Sequence, residues 1–274
     1  MILDCHVHVN NYAGAKLSVA ENLQRLRDQM AKWSLDHCVV LTSYVANEDR
    51  PNAEQVLEHV RPDDRIHVVE GVWATGETRV EWEGVARRLA TGRTIGLKLY
   101  PGYDHVYPSD ERLRPALELA EKHRVPVMVH TGDTFHPRAK LKYAHPLHVD
   151  EVAVDWPGVN FVICHLGNPW LRDTAELLYK NPNVYADISG LVLEEFTAPL
   201  EKHMRVQVEE FLVYSGEPDK VLYGTDWPLV RMGPYLRFVE GLPMEPEARE
   251  QLMWKNAARL FRIDPAAAAG SSAR

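Results

Sequence analysis

Eight short runs rich in β-branched and other apolar residues recur along the chain: "MILDCHVHV", "HCVVLTSYV", "RIHVVEGVW", "TIGLKLYPG", "VPVMVHTGD", "VNFVICHLG", "NVYADISGL" and "KVLYGTDWP". Each is too short for a globular helix and too apolar for a loop, so each reads as a strand buried on both faces. Between them lie segments with apolar residues at helical spacing. "SVAENLQRLRDQMAKWS" places Val19, Leu23, Leu26 and Met30 on one face, and "SDERLRPALELAEKH" does the same with Leu113, Leu117 and Ala120. Further helical segments are "NAEQVLEHV", "VEWEGVARRLA", "HVDEVAVDW", "LRDTAELLY", the stretch around 200–214, and "PEAREQLMWKNAARLF". Strand and helix alternating eight times is the pattern of a parallel sheet closed into a single-domain (β/α)8 TIM-like barrel. An open doubly wound sheet would call for a glycine-rich dinucleotide turn after an early strand, and none appears.

Length agrees with one such domain: 274 residues suit a barrel spanning 1–264, with a low-complexity tail, 265–274, that carries no expected role. The balance of 31 Lys+Arg against 39 Asp+Glu gives a net charge of -8 and argues against nucleic acid or an anionic membrane as partner. The cysteines, Cys5, Cys38 and Cys164, all fall inside apolar runs, are odd in number and lack zinc-ribbon spacing, so reduced thiols in a cytoplasmic protein are expected. No apolar stretch approaches the roughly 18 residues that a membrane span needs, and no signal sequence is apparent.

In a parallel barrel, chemistry gathers where the strands end. Run one ends in His6 and His8, run four in Lys98, run five in His130, run six in His165, run seven in Asp187 and run eight in Asp226. With 13 histidines in the chain, about 0.6 His-x-His pairs arise by composition alone, so the opening motif means little by itself. Histidine at two further strand ends makes the set much harder to obtain by chance. On a regular strand Asp4, His6 and His8 share a face, and the two histidine Cα atoms stand roughly 6.6 Å apart. Their imidazoles can then lean onto one ion, with a third histidine and a carboxylate completing a site that keeps room for water. Zn²⁺ in such a site lowers the pKa of water to around 7.

Taken together, "DCHVH", "GLKLYPGY", "VMVHTGD", "FVICHLGNPW", "NVYADISG" and "LYGTDWP" resemble, in order and spacing, the amidohydrolase superfamily, in the branch that contains aminocarboxymuconate-semialdehyde decarboxylase. The resemblance implies a distorted barrel with a divalent metal at its mouth, most simply one Zn²⁺. His6, His8, His130 and Asp226 match the metal ligands, and His165 matches a histidine that works beside the metal as acid or base. Lys98 has two readings: a carboxylated lysine bridging two metals, or an ordinary ammonium that binds a substrate carboxylate or polarises a carbonyl. The implied chemistry is attack of a metal-activated water on a small carbonyl compound (ester, lactone or amide), with Asp226 as ligand and proton acceptor. The alternative on the same scaffold is decarboxylation of an aromatic or unsaturated acid. TatD-like deoxyribonucleases also open with His-x-His, but they carry an acid on strand four where this chain has Lys98.

Asp4 reads as a structural carboxylate one pleat deeper, orienting His6 or another polar group, and Asp187 as structural or as a cap on the following turn with Ser189. Tyr100 and Trp170 are candidate substrate contacts among the aromatics that follow the strands, which also include Trp73, Tyr103, Tyr107 and Trp227. Arg231, in the loop after run eight, is a candidate clamp for a carboxylated substrate. The remaining histidines read as surface, core or solvated loop residues. Barrel relatives of this kind are often homodimers, which makes a homodimer the expectation by analogy.

Overall fold

The computed structural model describes residues 1–43, 47, 49–61, 63–75, 79–192 and 196–265, so nearly all of the expected tail lies outside the described residues. Each apolar run contains a strand: β1 Leu3–Val7, β2 His37–Leu41, β3 Ile66–Gly71, β4 Leu97–Leu99, β5 Val127–Val129, β6 Phe161–Ile163, β7 Val184–Asp187 and β8 Val221–Leu222. All neighbouring pairs are parallel and the strands follow one another in sequence order around the sheet. The seam between the first and last strands closes through a parallel bridge from Val7 to Trp227 and through the Cys5 N–H, which donates to Tyr223 O at 2.9 Å.

The helices are α1 Val19–Trp33, α2 Ala53–Leu57, α3 Trp82–Ala90, α4 Arg114–His123, α5 His148–Asp155, α6 Leu171–Lys180, α7 Ala198–Ser215, α8 Met232–Glu240, α9 Pro246–Glu250 and α10 Asn256–Phe261. α1 starts at a capping box in which Ser18 Oγ accepts the Glu21 N–H and the Glu21 carboxylate accepts the Ser18 N–H. Its buried face, Leu23, Leu26 and Met30, packs on the outward residues Val7, Val9, Cys38 and Val40. The apolar periodicity did not disclose α8, because Gly233 and Pro234 sit in its first turn and read as a loop. Pro is tolerated there, since first-turn N–H groups have no partner within the helix.

Side chains pointing into the barrel, among them Leu3, Cys5, Val39, Leu41, Val69, Met128, Val162 and Leu222, form one cluster with Ala257, Leu260 and Phe261 of α10. The C-terminal helix therefore stoppers the barrel, while polar strand ends gather at the opposite mouth. β1 departs from simple alternation. Asp4 pairs with Cys38 but Val7 pairs with Val40, so β1 carries one extra residue between them, a β-bulge. The bulge lets Leu3 and Cys5 point inward below, while His6 and His8 point inward above it. Asp4 is thereby taken off the face of His6 and His8, which corrects the expectation of a shared face: its carboxylate accepts from the Thr225 N–H and hydroxyl at 3.0 and 2.6 Å and from the His6 N–H at 3.1 Å.

Candidate metal centre

His6 and His8 enter the mouth from the bulged end of β1, and Asp226 faces them from the loop after β8. One ligand atom from each of these residues lies within 4.8 Å of the other two. His8 Nδ1 is 2.8 Å from Leu41 O, an atom that can only accept, so Nδ1 carries the proton and Nε2 keeps its lone pair. His6 Nδ1 faces Asp187 Oδ2 at 2.9 Å, which fixes the same tautomer. Both Nε2 atoms then face Asp226 Oδ1, at 3.7 Å from His6 and 3.2 Å from His8. Three acceptors turned toward one another call for a cation between them. The separations are close to the roughly 3.3 Å between donors around a tetrahedral ion with bonds of about 2.0–2.1 Å. The donor set therefore fits a divalent metal.

Asp187 supports this arrangement. Beside the contact to His6, its Oδ1 accepts the backbone N–H groups of His165 and Ser189, each at 3.0 Å, and the Ser189 hydroxyl. A second His/Asp group, His6, His165 and Asp187, is drawn together in this way, with the Asp187 oxygens already committed to hydrogen bonds. Ser189 Oγ lies 2.9 Å from both His6 Nδ1 and His165 Nδ1, tying the two imidazoles to one hydroxyl. The backbone here takes positive φ at three residues, His165 (61°), Leu166 (49°) and Asp226 (68°). Gly190, also at positive φ, permits the close approach: a Cβ there would stand 2.8 Å from His165 Nδ1 and 3.0 Å from Asp226 Oδ2.

His130 lies beside His165, ring centroids 5.2 Å apart, and stands outside the three-donor group. Its Nε2 is 3.1 Å from Asp133 O, so that nitrogen is the protonated one. Lys98, wholly buried, donates to Cys164 Sγ at 2.6 Å, and its Nζ sits 5.3 Å from the centre of the Tyr100 ring. Tyr100 is itself anchored by its hydroxyl, which donates to Thr42 O at 2.6 Å.

These groups line a cavity of about 170 Å³. Its walls also include Tyr103, one of the aromatics that follow the strands, and residues that strand-end reasoning missed: Tyr12, Arg50, Phe135 and His136. All come from loops, where no periodicity fixes the direction of a side chain. Two expected substrate contacts are absent from the walls. Trp170 packs on His145 instead, ring centroids 4.5 Å apart, and Arg231 lines a separate cleft on the far side of the loop after β8. The arginine in the cavity is Arg50, with its guanidinium carbon 5.7 Å from the centre of the Tyr12 ring.

Burial dominates the electrostatics. It pushes His6 down to about 4 and His130 well below the ordinary histidine range, favouring neutral imidazoles, the form that can bind a metal. Burial alone would raise Asp187 and Asp226. The imidazoles around them outweigh it, His6 and its hydrogen bond at Asp187 and the nearby rings of His8, His6 and His165 at Asp226, and hold both carboxyls well below the usual range. Asp4 has no such neighbour, and burial takes it up to about 7.

A parallel eight-stranded barrel with buried imidazoles and a carboxylate converging at its mouth defines a (β/α)8 enzyme with a candidate His/Asp metal centre. The chain belongs to the amidohydrolase family, whose sequence profile it matches over residues 3–263. No curated protein matches it. Among solved structures it resembles an uncharacterized TIM-barrel protein from Bordetella bronchiseptica, at TM-score 0.73 and 21% identity over 95% of this chain and 98% of that one. A probable 2-pyrone-4,6-dicarboxylic acid hydrolase from Acinetobacter baumannii, with citric acid bound, aligns at TM-score 0.68 and 16% identity over 95% and 99%. A dihydroxybenzoic acid decarboxylase from a Polaromonas species, with bound manganese and the inhibitor 2-nitroresorcinol, aligns at TM-score 0.63 and 12% identity over 95% and 96%. At these identities the likeness is one of fold. Among the described residues no helix is long and apolar enough to cross a membrane.

Proposed function

We propose that the chain is a metal-dependent hydrolase acting on the carbonyl of a small, flat, anionic ester, lactone or amide. The observation that carries this reading is the commitment of both β1 imidazoles through Nδ1, which leaves two Nε2 lone pairs and the Asp226 carboxylate facing one another. His6, His8 and Asp226 would hold one divalent ion, Zn²⁺ by the chemistry of the set. His130 would join as a fourth donor after exchanging its contact to Asp133 O. The ion, when bound, supplies Lewis acidity toward a carbonyl oxygen and a water.

The remaining roles belong to the chain. Asp226 accepts a proton from the attacking water. His165, with Nδ1 engaged by Ser189, offers its other ring nitrogen as proton carrier to the leaving group. Arg50 and Lys98 are the cations of the cavity and bind a substrate carboxylate between aromatic walls. Donation of the Lys98 amine to the Cys164 sulfur favours a free amine over a carboxylated bridge between two metals.

Decarboxylation of a planar acid is the second reading, favoured by the same pairing of two cations with aromatic walls and by the decarboxylase among the structural neighbours. Metal-loaded protein is to be incubated with panels of lactones and esters and of hydroxybenzoate-like acids. Hydrolysis that is abolished in Asp226→Asn supports the first reading, and CO₂ release without lactone or ester cleavage replaces it with the second. In chelator competition, His6→Ala and His8→Ala are expected to weaken metal binding more than His130→Ala; equal losses would make His130 a full member of the set.

A further inference from the structure

A second cavity, about 370 Å³, opens on the outside of the barrel between α1 and the loop that leads from β8 into α8. Its ionic lining comprises Arg25, Lys32 and Arg231 together with Asp28. Asp28 already accepts a hydrogen bond from Gln24 at 2.9 Å. Neither Arg25 nor Lys32 has a carboxylate within ion-pair distance among the described residues. Two indoles complete the lining, Trp227 and Trp33. Arg25 stands 5.7 Å from the centre of the Trp227 ring and Lys32 5.2 Å from that of Trp33, so both cations are held above aromatic surface. Trp33 is wedged against the α8 backbone, where a Cβ on Gly233 would come within 2.2 Å of its ring.

We infer that this cleft, with Arg25 and Lys32 beside the indoles of Trp33 and Trp227, is a second binding site for a small organic anion with a flat apolar body, such as an aryl carboxylate. Arg25 and Lys32 take the carboxylate, and the partly exposed indole of Trp33 takes the ring. The cleft is connected to the metal centre through the backbone. Trp227 follows Asp226 directly, its carbonyl accepts the His8 N–H at 2.7 Å, and it bridges Val7 across the seam.

Calorimetric titration of the full chain with benzoate tests this, with benzyl alcohol as neutral control and inorganic phosphate as compact anion. Benzoate is expected to bind, with benzyl alcohol and phosphate at least tenfold weaker. The double variant Arg25→Gln/Lys32→Gln should lose tenfold or more, since each exchange removes a charge-assisted contact. Arg50→Ala, which alters only the catalytic cavity, should retain the binding whether or not the proposed hydrolysis is correct. Quenching of tryptophan fluorescence by benzoate should shrink in Trp33→Phe. Benzoate binding that survives the double variant and disappears in Arg50→Ala would assign the ligand to the catalytic cavity and overturn the inference. Absence of binding, or phosphate binding as tightly as benzoate, would overturn it as well.

Discussion

Replacing Asp187 by Asn changes one atom and is expected to move a proton on a different residue. In the native arrangement Oδ1 receives the N–H groups of His165 and Ser189 and the Ser189 hydroxyl, while Oδ2 faces His6 Nδ1 at 2.9 Å. In the variant the amide oxygen must stay where those donors converge, because turning the amide over would point an NH₂ at two N–H groups. The NH₂ then faces His6 Nδ1, which must accept, and the imidazole proton shifts to Nε2. That is the atom aimed at Asp226, and a protonated nitrogen cannot bind a metal. Loss of one hydrogen bond to a charged group is worth about 1.5–3 kcal/mol, which matches the 10–100-fold that loss of such a supporting contact typically costs in metal affinity. Chelator competition with Zn²⁺ and Mn²⁺ at neutral pH reads the affinity, and ¹⁵N shifts of the His6 ring read the tautomer. A folded variant with native metal affinity and the proton still on Nδ1 would refute the reasoning.

Gly190→Ala places a Cβ 2.8 Å from His165 Nδ1 at a positive φ, so turnover should fall by tenfold or more with the fold retained, as judged by circular dichroism. Arg50→Ala should raise KM for a carboxylated substrate by tenfold or more while changing kcat little, and should leave an uncharged analogue unaffected. At the opposite end of the barrel, His37 Nδ1 and His67 Nε2 lie 3.1 Å apart, and burial followed by the charge of His37 takes His67 from 6.5 down to about 4. The unfolded chain binds that proton first, so the stabilisation is complete above pH 6.5 and is lost as pH falls toward 4. For a partly exposed ring this amounts to about 2–3 kcal/mol; urea titrations across that range should show a shallower decline in His67→Gln.

The barrel and the centre of its mouth were legible because two independent regularities coincide. Parallel strands buried on both faces must be apolar along their length, so a polar residue ending such a run stands out, and barrel topology brings all such ends to one place. His6, His8 and Asp226 announced themselves in that way. The bulge in β1 did not, since nothing in "LDCHV" marks an extra residue, and the true anchor of His6 proved to be Asp187, 181 residues away in sequence, with Asp4 turned toward Thr225. Direction was lost outside the strands. Arg50 and Arg231 both lie in loops after strands, yet one faces the cavity and the other a cleft behind it, a choice settled by packing that no local pattern encodes.

The seam joining β1 to β8 has a consequence for how this protein comes into being. Of the three acceptors that face one another, His6 and His8 are synthesised well before Asp226, and the closure across Val7 and Trp227 brings them together. A growing chain that has not yet released residue 226 from the ribosome thus presents only two of the three, and its hold on an ion is correspondingly weak. Once the ring closes, an ion held among them would link the first and last strands of the barrel, so that opening the seam and releasing the ion would become a single event.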